Sequence, residues 1–237
     1  QTWQERRSEV LDFGRQMRAN LGQQGTGEDA VAGSPEATLL KASLALMPQI
    51  DRTEGGFGHS PKFPQPNLLA FMLQQSALNP DAETARFFKD ALALTLKKMA
   101  MGGIHDQLGG GFHRYSTDRN WLVPHFEKML YDNALLAGVY LKAWQAYGEP
   151  RFALAARSSL DFMLKELRSA EGGFYSALDA DSEGQEGKYY VWTLDEIKEA
   201  LGEERGGAFA SAFGLTEQGN FEESGHAWNV LHQVSET

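Results

Sequence analysis

The triplet Gly-Gly-Phe occurs at Gly55-Gly56-Phe57, Gly110-Gly111-Phe112 and Gly172-Gly173-Phe174, at intervals of 55 and 62 residues. A period of this length marks a repeat architecture, because a single helix–loop–helix unit cannot bury its inner face and must stack on its neighbours. The segments between the triplets alternate in pattern. Some are apolar nearly all round and some are amphipathic, which is the signature of inner and outer helices in a solenoid or a closed α/α toroid. The all-α toroid is the favoured reading. Its loops, some of them β-hairpins, gather at one end and form a common concave mouth.

Taken in order, residues 3–22 carry Trp3, Val10, Phe13, Met17 and Leu21 at helical spacing, as a peripheral amphipathic helix does. A small and polar linker follows over 24–34, and Ser34-Pro35-Glu36 starts a second helix running to about Asp51. The loop EGGFGHSPKFPQP precedes an apolar helix from Asn67 to Leu78. Asp81 caps the next helix, to Met101, whose buried stripe is Phe88, Leu92, Thr95 and Met99. The spacing predicts an enclosed inner helix over 126–147, stopped by Gly148, and an outer helix over 151–168. GGFYSALDADSEGQEGKYYVW alternates as a β-hairpin, Thr193 and Glu196 make a capping box, and the tail is weakly patterned. The expected organisation is one domain over 1–237: a peripheral helix and linker at 1–35, helical hairpins at 36–213 and a tail at 214–237.

Composition narrows the function. Thirty-two acidic against twenty-two basic residues give a net charge of −10, which repels a phosphate backbone, so no nucleic-acid partner is expected. The chain has no cysteine, which removes disulfides, thiolate metal sites and thiol nucleophiles and fits a cytoplasmic setting. No apolar run reaches the roughly 20 residues of a membrane span. No membrane partner, metal or cofactor is expected, and the absence of an initial methionine suits a processed or excised piece.

The stretch Gly102–Asn133 holds three of the six histidines among glycines, aromatics and charges. His113 or His125 would serve as base and acid, with Glu127, Asp106 and Asp179 as further catalytic candidates. A pair such as Asp106 or Glu127 with Asp179 is what a glycosidase requires. His59, Lys62, Arg114, Tyr115, Trp121, Asp132, Tyr175 and Asp181 are ligand-binding candidates, the aromatics as platforms for sugar rings. The plain alternatives stand beside these: a packed histidine in a hairpin, acids complementing a helix dipole, Lys128 with Asp132 as an ordinary i,i+4 pair, aromatics as core. DADSEGQEG departs from the spacing of a calcium loop and reads as a solvated acidic turn.

The motifs GGFGHSPKFPQP, GGIHDQLGGGFHRYSTDRNWLVPHFEKMLYDNA and GGFYSALDADSEGQEGKYYVW resemble thioredoxin-domain-containing proteins related to the spermatogenesis-associated thioredoxin-like protein, over about residues 36–201. That resemblance implies an (α/α)6 toroid of the kind found in N-acylglucosamine 2-epimerases and six-hairpin glycosidases, preceded by a thioredoxin-like domain. With no cysteine motif in this chain, the redox role implied by the family name is not carried over. The expected fold is therefore a partial (α/α)6 toroid with short β-hairpins at one end, and the expected function a carbohydrate-related pocket of epimerase or glycosidase type. The alternative is a non-catalytic binding or scaffold module serving the thioredoxin-like domain. The expected ligand is a small molecule, in particular a sugar. At about four of six hairpins the ring is open, so self-association or further chain is expected to complete it.

Overall fold

The computed structural model describes residues 6–25, 34–223 and 226–234. Trp3 and most of the expected linker lie outside the described residues. The chain divides into two compact units, 1–48 and 49–237.

In the first unit, α1 spans Arg7–Gly25 and α2 spans Pro35–Leu46. Val10, Phe13 and Met17 all lie exposed on α1. Ser34 caps α2 by accepting the Ala37 amide at 3.3 Å, with Pro35 at the first helical position. The helix stops short of the expected Asp51. Pro48 has no amide hydrogen to continue the ladder, and a 3-10 turn, Met47–Gln49, follows.

The second unit holds two long helical hairpins, α3 (Pro66–Leu78) with α4 (Ala82–Met101) and α5 (Leu130–Tyr147) with α6 (Pro150–Phe162). α5 packs on both α6 and α3. Asp81 caps α4 through the Thr84 amide at 2.8 Å, and its stripe of Phe88, Leu92, Thr95 and Met99 is fully buried. Gly148, at φ +73°, closes α5, and Pro150 opens α6. A π-turn, Met163–Leu167, extends α6, after which come α7 (Leu194–Leu201), started by the Thr193–Glu196 capping box, and α8 (Glu203–Phe213).

Two expectations are corrected here. Residues 126–129 are extended, because their backbone is already used in strand pairing: Lys128–Met129 (β3) lies against Ala177–Leu178 (β4), and the Glu127 carbonyl accepts the Arg114 amide at 2.8 Å. Second, α5 is not enclosed all round. Leu136, Val139, Tyr140 and Ala143 are buried, whereas Leu135, Leu141 and Trp144 are exposed, since α3 and α6 cover only part of its surface.

The remaining strands are short. Tyr115–Ser116 (β1) pairs with Pro124–His125 (β2), and Asp181–Ser182 (β5) makes a hairpin with Gln185–Glu186 (β6). Val191–Trp192 (β7), Phe221–Glu223 (β8) and His226–Val230 (β9) form a sheet in the order β7-β9-β8, so the weakly patterned tail is a hairpin laid on β7.

The Gly-Gly-Phe loops are structural equivalents. Each closes one antiparallel bridge, Ile50 with Phe57, His105 with Phe112 and Arg168 with Phe174. In the first two an aspartate accepts loop amides: Asp51 those of Thr53 and Glu54, Asp106 those of Leu108 and Gly109. A buried lysine then locks each loop. Lys62 Nζ donates to Asp51 Oδ2 and to the Gly55 carbonyl, both at 2.7 Å, while Lys128 Nζ donates to Asp106 Oδ2 at 2.7 Å and to the Gly110 carbonyl at 2.9 Å. The third loop has Ser169 in the aspartate's place, and Phe174 is 46% exposed where Phe57 is 7% and Phe112 0%.

Candidate functional site

The extended segment 124–129 organises the site. Side chains alternate across a strand, and here Pro124, Phe126 and Lys128 are buried while His125, Glu127 and Met129 are only partly so. The segment thereby separates the sequence-derived candidates into two groups.

On the inward side, Lys128 is held by Asp106, and its ammonium lies 4.6 Å from the Phe162 ring centre and 4.8 Å from that of Tyr190. His113 is 1% exposed and donates from Nδ1 to the Phe126 carbonyl at 2.9 Å. Burial, reinforced by the Lys128 charge, pushes its pKa down to about 3, so the imidazole is neutral. His105 is likewise driven down to about 4 by burial and contacts Ser158 Oγ at 2.9 Å through Nε2, while its Nδ1 is buried without a hydrogen-bond partner among the described residues. Asp106 stays ionised: burial raises its pKa, but the Lys128 charge and hydrogen bond, with the Gly109 amide, outweigh that and bring it to about 2.

The outward side is open and dense in charge. His125 Nδ1 lies 2.7 Å from Glu186 Oε1 and its Nε2 lies 3.9 Å from Glu127 Oε2, with the imidazole 28% exposed. Arg114 Nη1 donates to Glu127 Oε2 at 2.9 Å. The Tyr115 ring stacks on His125 at 5.0 Å and 19°, and Phe63 backs Tyr115 at 4.7 Å. At the entry of α5 stands Asp132, whose pKa burial raises to about 6, against the pull of Tyr131 and Arg114. Asp181 faces Glu186 directly across the β5–β6 pair, which puts both side chains on one face of the hairpin. His125, Glu127, Arg114, Tyr115 and Asp132 thus meet, with Asp181 at the edge.

Lys62, Trp121, His113 and Asp106 do not join them. Lys62 is fully buried and its ammonium is committed to Asp51 and Gly55. Trp121 is core: it is 0% exposed at φ +66°, its indole N–H donates to the Glu54 carbonyl at 2.8 Å, and Lys62 lies over its face. His59 and Tyr175 are exposed on their loops, and Asp179 accepts the Asp181 amide at 3.2 Å. His113 and Asp106 lie behind the segment that carries His125 and Glu127. Reasoning from sequence missed Glu186 as the partner of His125, 61 residues away, since nothing local links the two. Among the described residues no three His, Asp or Glu side chains are grouped so as to hold a metal ion, and no helix is long and apolar enough to cross a membrane.

No protein-family model matches the chain. It is 43% identical over 201 residues to mouse spermatogenesis-associated protein 20, across 77% of this chain and 25% of that protein. Identity with the human protein is 45% over 193 residues, across 73% of this chain and 24% of the relative. The chain therefore spans about a quarter of the length of the curated relatives it matches. Among solved structures, a sugar epimerase from a ruminal bacterium aligns with a TM-score of 0.50 at 14% identity, over 73% of this chain and 52% of its own. That likeness establishes the fold as part of an epimerase-type α/α toroid with short antiparallel hairpins, as the motifs implied.

Proposed function

Since the chain is homologous to a quarter-length stretch of spermatogenesis-associated protein 20 and folded as part of an epimerase-type toroid, we propose that the cluster around His125 is an acid–base site acting on an open-chain sugar. The observation carrying this reading is the imidazole set between two carboxylates, Glu186 at 2.7 Å and Glu127 at 3.9 Å, on a partly open surface. Glu186 accepts a hydrogen bond from Nδ1–H and so fixes the tautomer that presents Nε2 as a lone pair, the arrangement of an oriented general base.

The reaction that suits such a base is proton removal from the carbon beside a sugar carbonyl. The C–H electron pair moves into a C–C double bond and the carbonyl oxygen gains charge, which Arg114 is placed to stabilise. Asp132, near pKa 6, is poised to exchange a proton near neutral pH. Return of a proton to the opposite face gives the epimer. The Tyr115 ring, stacked on His125 and backed by Phe63, holds the imidazole plane in place.

The test is incubation in D2O with mannose, glucose and cellobiose, reading deuterium at C2 and appearance of the epimer. Exchange is expected with the wild type, and His125→Gln is expected to lose about 10²–10⁴-fold. If no mono- or disaccharide binds saturably and none exchanges, the sugar reading is wrong and a scaffold role replaces it.

A further inference from the structure

Behind residues 124–129 lies a cavity of about 500 Å3, bounded by the 103–109 loop, Tyr189–Trp192 and Val230–Leu231. That volume lies in the range of small-molecule sites. Its wall includes Phe126, Tyr190 and Trp192, with Tyr190 stacked on Phe126 at 5.8 Å and 7°. His113 also forms part of the wall, and its ring meets Tyr190 edge-on at 4.8 Å.

Most polar groups around this cavity are already engaged. Asp106 is held by Lys128 and two amides; Gln107 Nε2 donates to the carbonyls of Ala100, Gly102 and His105; Glu196 closes the α7 cap. Lys188 pairs with Glu183 and Lys165 with Glu166. His113 differs. Because Nδ1 donates to the Phe126 carbonyl, the neutral ring keeps an unprotonated Nε2, and among the described residues no hydrogen bond is made to it. An acceptor facing this cavity suits a donor that carries no charge, because Lys128 close by repels a cation.

We propose that this cavity is a second binding site, taking one ring of a neutral polyhydroxylated ligand that donates a hydroxyl to His113 Nε2 and lays its C–H face on Tyr190 or Trp192. The site is distinct from the His125 cluster, from which the 124–129 backbone separates it, and it does not depend on that cluster being catalytic. His113 here binds rather than transfers protons, since its ring stays neutral through the physiological range.

The experiment titrates mannose and cellobiose into the intact chain and follows the histidine ring nitrogens by NMR. The expected result is a saturable shift of the His113 Nε2 resonance, with binding about tenfold weaker in Trp192→Ala, the scale of one lost buried contact. His113→Gln is the direct variant. If it fails to fold, Trp192→Ala, at the half-exposed rim, read through His113 itself, keeps the test open. No shift of His113 at saturating sugar, an equal shift in Trp192→Ala, or a shift confined to His125 overturns the proposal. The last of these would leave the outward acid–base site standing, so the two readings fail separately.

Discussion

Replacing Asp51 with alanine tests the locked-loop design most directly. Its carboxylate is 2% exposed and accepts Lys62 at 2.7 Å, Arg119 at 2.6 and 2.8 Å, and the amides of Thr53 and Glu54. Arg119 is 44% exposed and turns into water when its partner goes. Lys62, at 0%, has no such exit. It keeps only the Gly55 carbonyl and the face of Trp121 at 5.3 Å. Stranding one member of a buried pair costs about 3–5 kcal/mol, a large part of the roughly 5–15 kcal/mol that separates folded from unfolded chains. For a chain of this size each kcal/mol moves Tm by about 2–4 °C, so a fall of roughly 6–20 °C is expected. The double variant Asp51→Leu/Lys62→Met is expected to recover most of it, because both charges leave together. Arg119 and Lys62 hold the Asp51 carboxyl well below the usual range, against burial. Its contribution is therefore complete above the unfolded value near pH 4 and is lost as pH falls through that value toward the folded one. Thermal melts from neutral to acid pH check both points. A loss under about 1 kcal/mol, or a double variant as damaged as the single, would refute the reasoning.

Two further outcomes are expected. Gly111→Ala puts a methyl 2.5 Å from Phe162 Cδ1 at φ +76°, whereas Gly172→Ala, at φ +88°, meets nothing within 4 Å. Both bear about 1–2 kcal/mol of left-handed strain and only the first adds roughly 1–3 kcal/mol of overpacking, a difference that urea denaturation resolves. Asp132, raised to about 6 by burial, is favoured in its protonated form, so wild-type stability should fall as pH rises from about 4 to about 6; Asp132→Asn should flatten that limb, and an unchanged profile would count against the assignment.

How much of the site was legible depended on the distance over which each feature is encoded. Caps were plain, because Asp81 with Thr84 and Thr193 with Glu196 act within one helical turn. The stripe on α4 was plain for the same reason. The placement of His125 and Glu127 was not. Their surrounding pattern is helical, but strand pairing with Leu178 and hydrogen bonding to Arg114 took the backbone instead, and a period of two then turned neighbouring residues to opposite sides. Lys62 read as a ligand-binding cation and Lys128 as an i,i+4 partner of Asp132, although each is buried against an aspartate that sequence alone does not match to it.

By itself, then, the amino-acid sequence determined the repeat, the helix caps and the toroid class, all of which rest on local periodicity and on recurrence along the chain. Only the tertiary structure decided that Asp51 and Asp106 are twin anchors, that Glu186 orients His125 from 61 residues away, and that His113 lies on the other side of the chain from it. The physical reason is that a charge acquires its role from what surrounds it. Burial, a partner's distance and the face of a strand are set by packing between segments remote in sequence, and no local pattern records them.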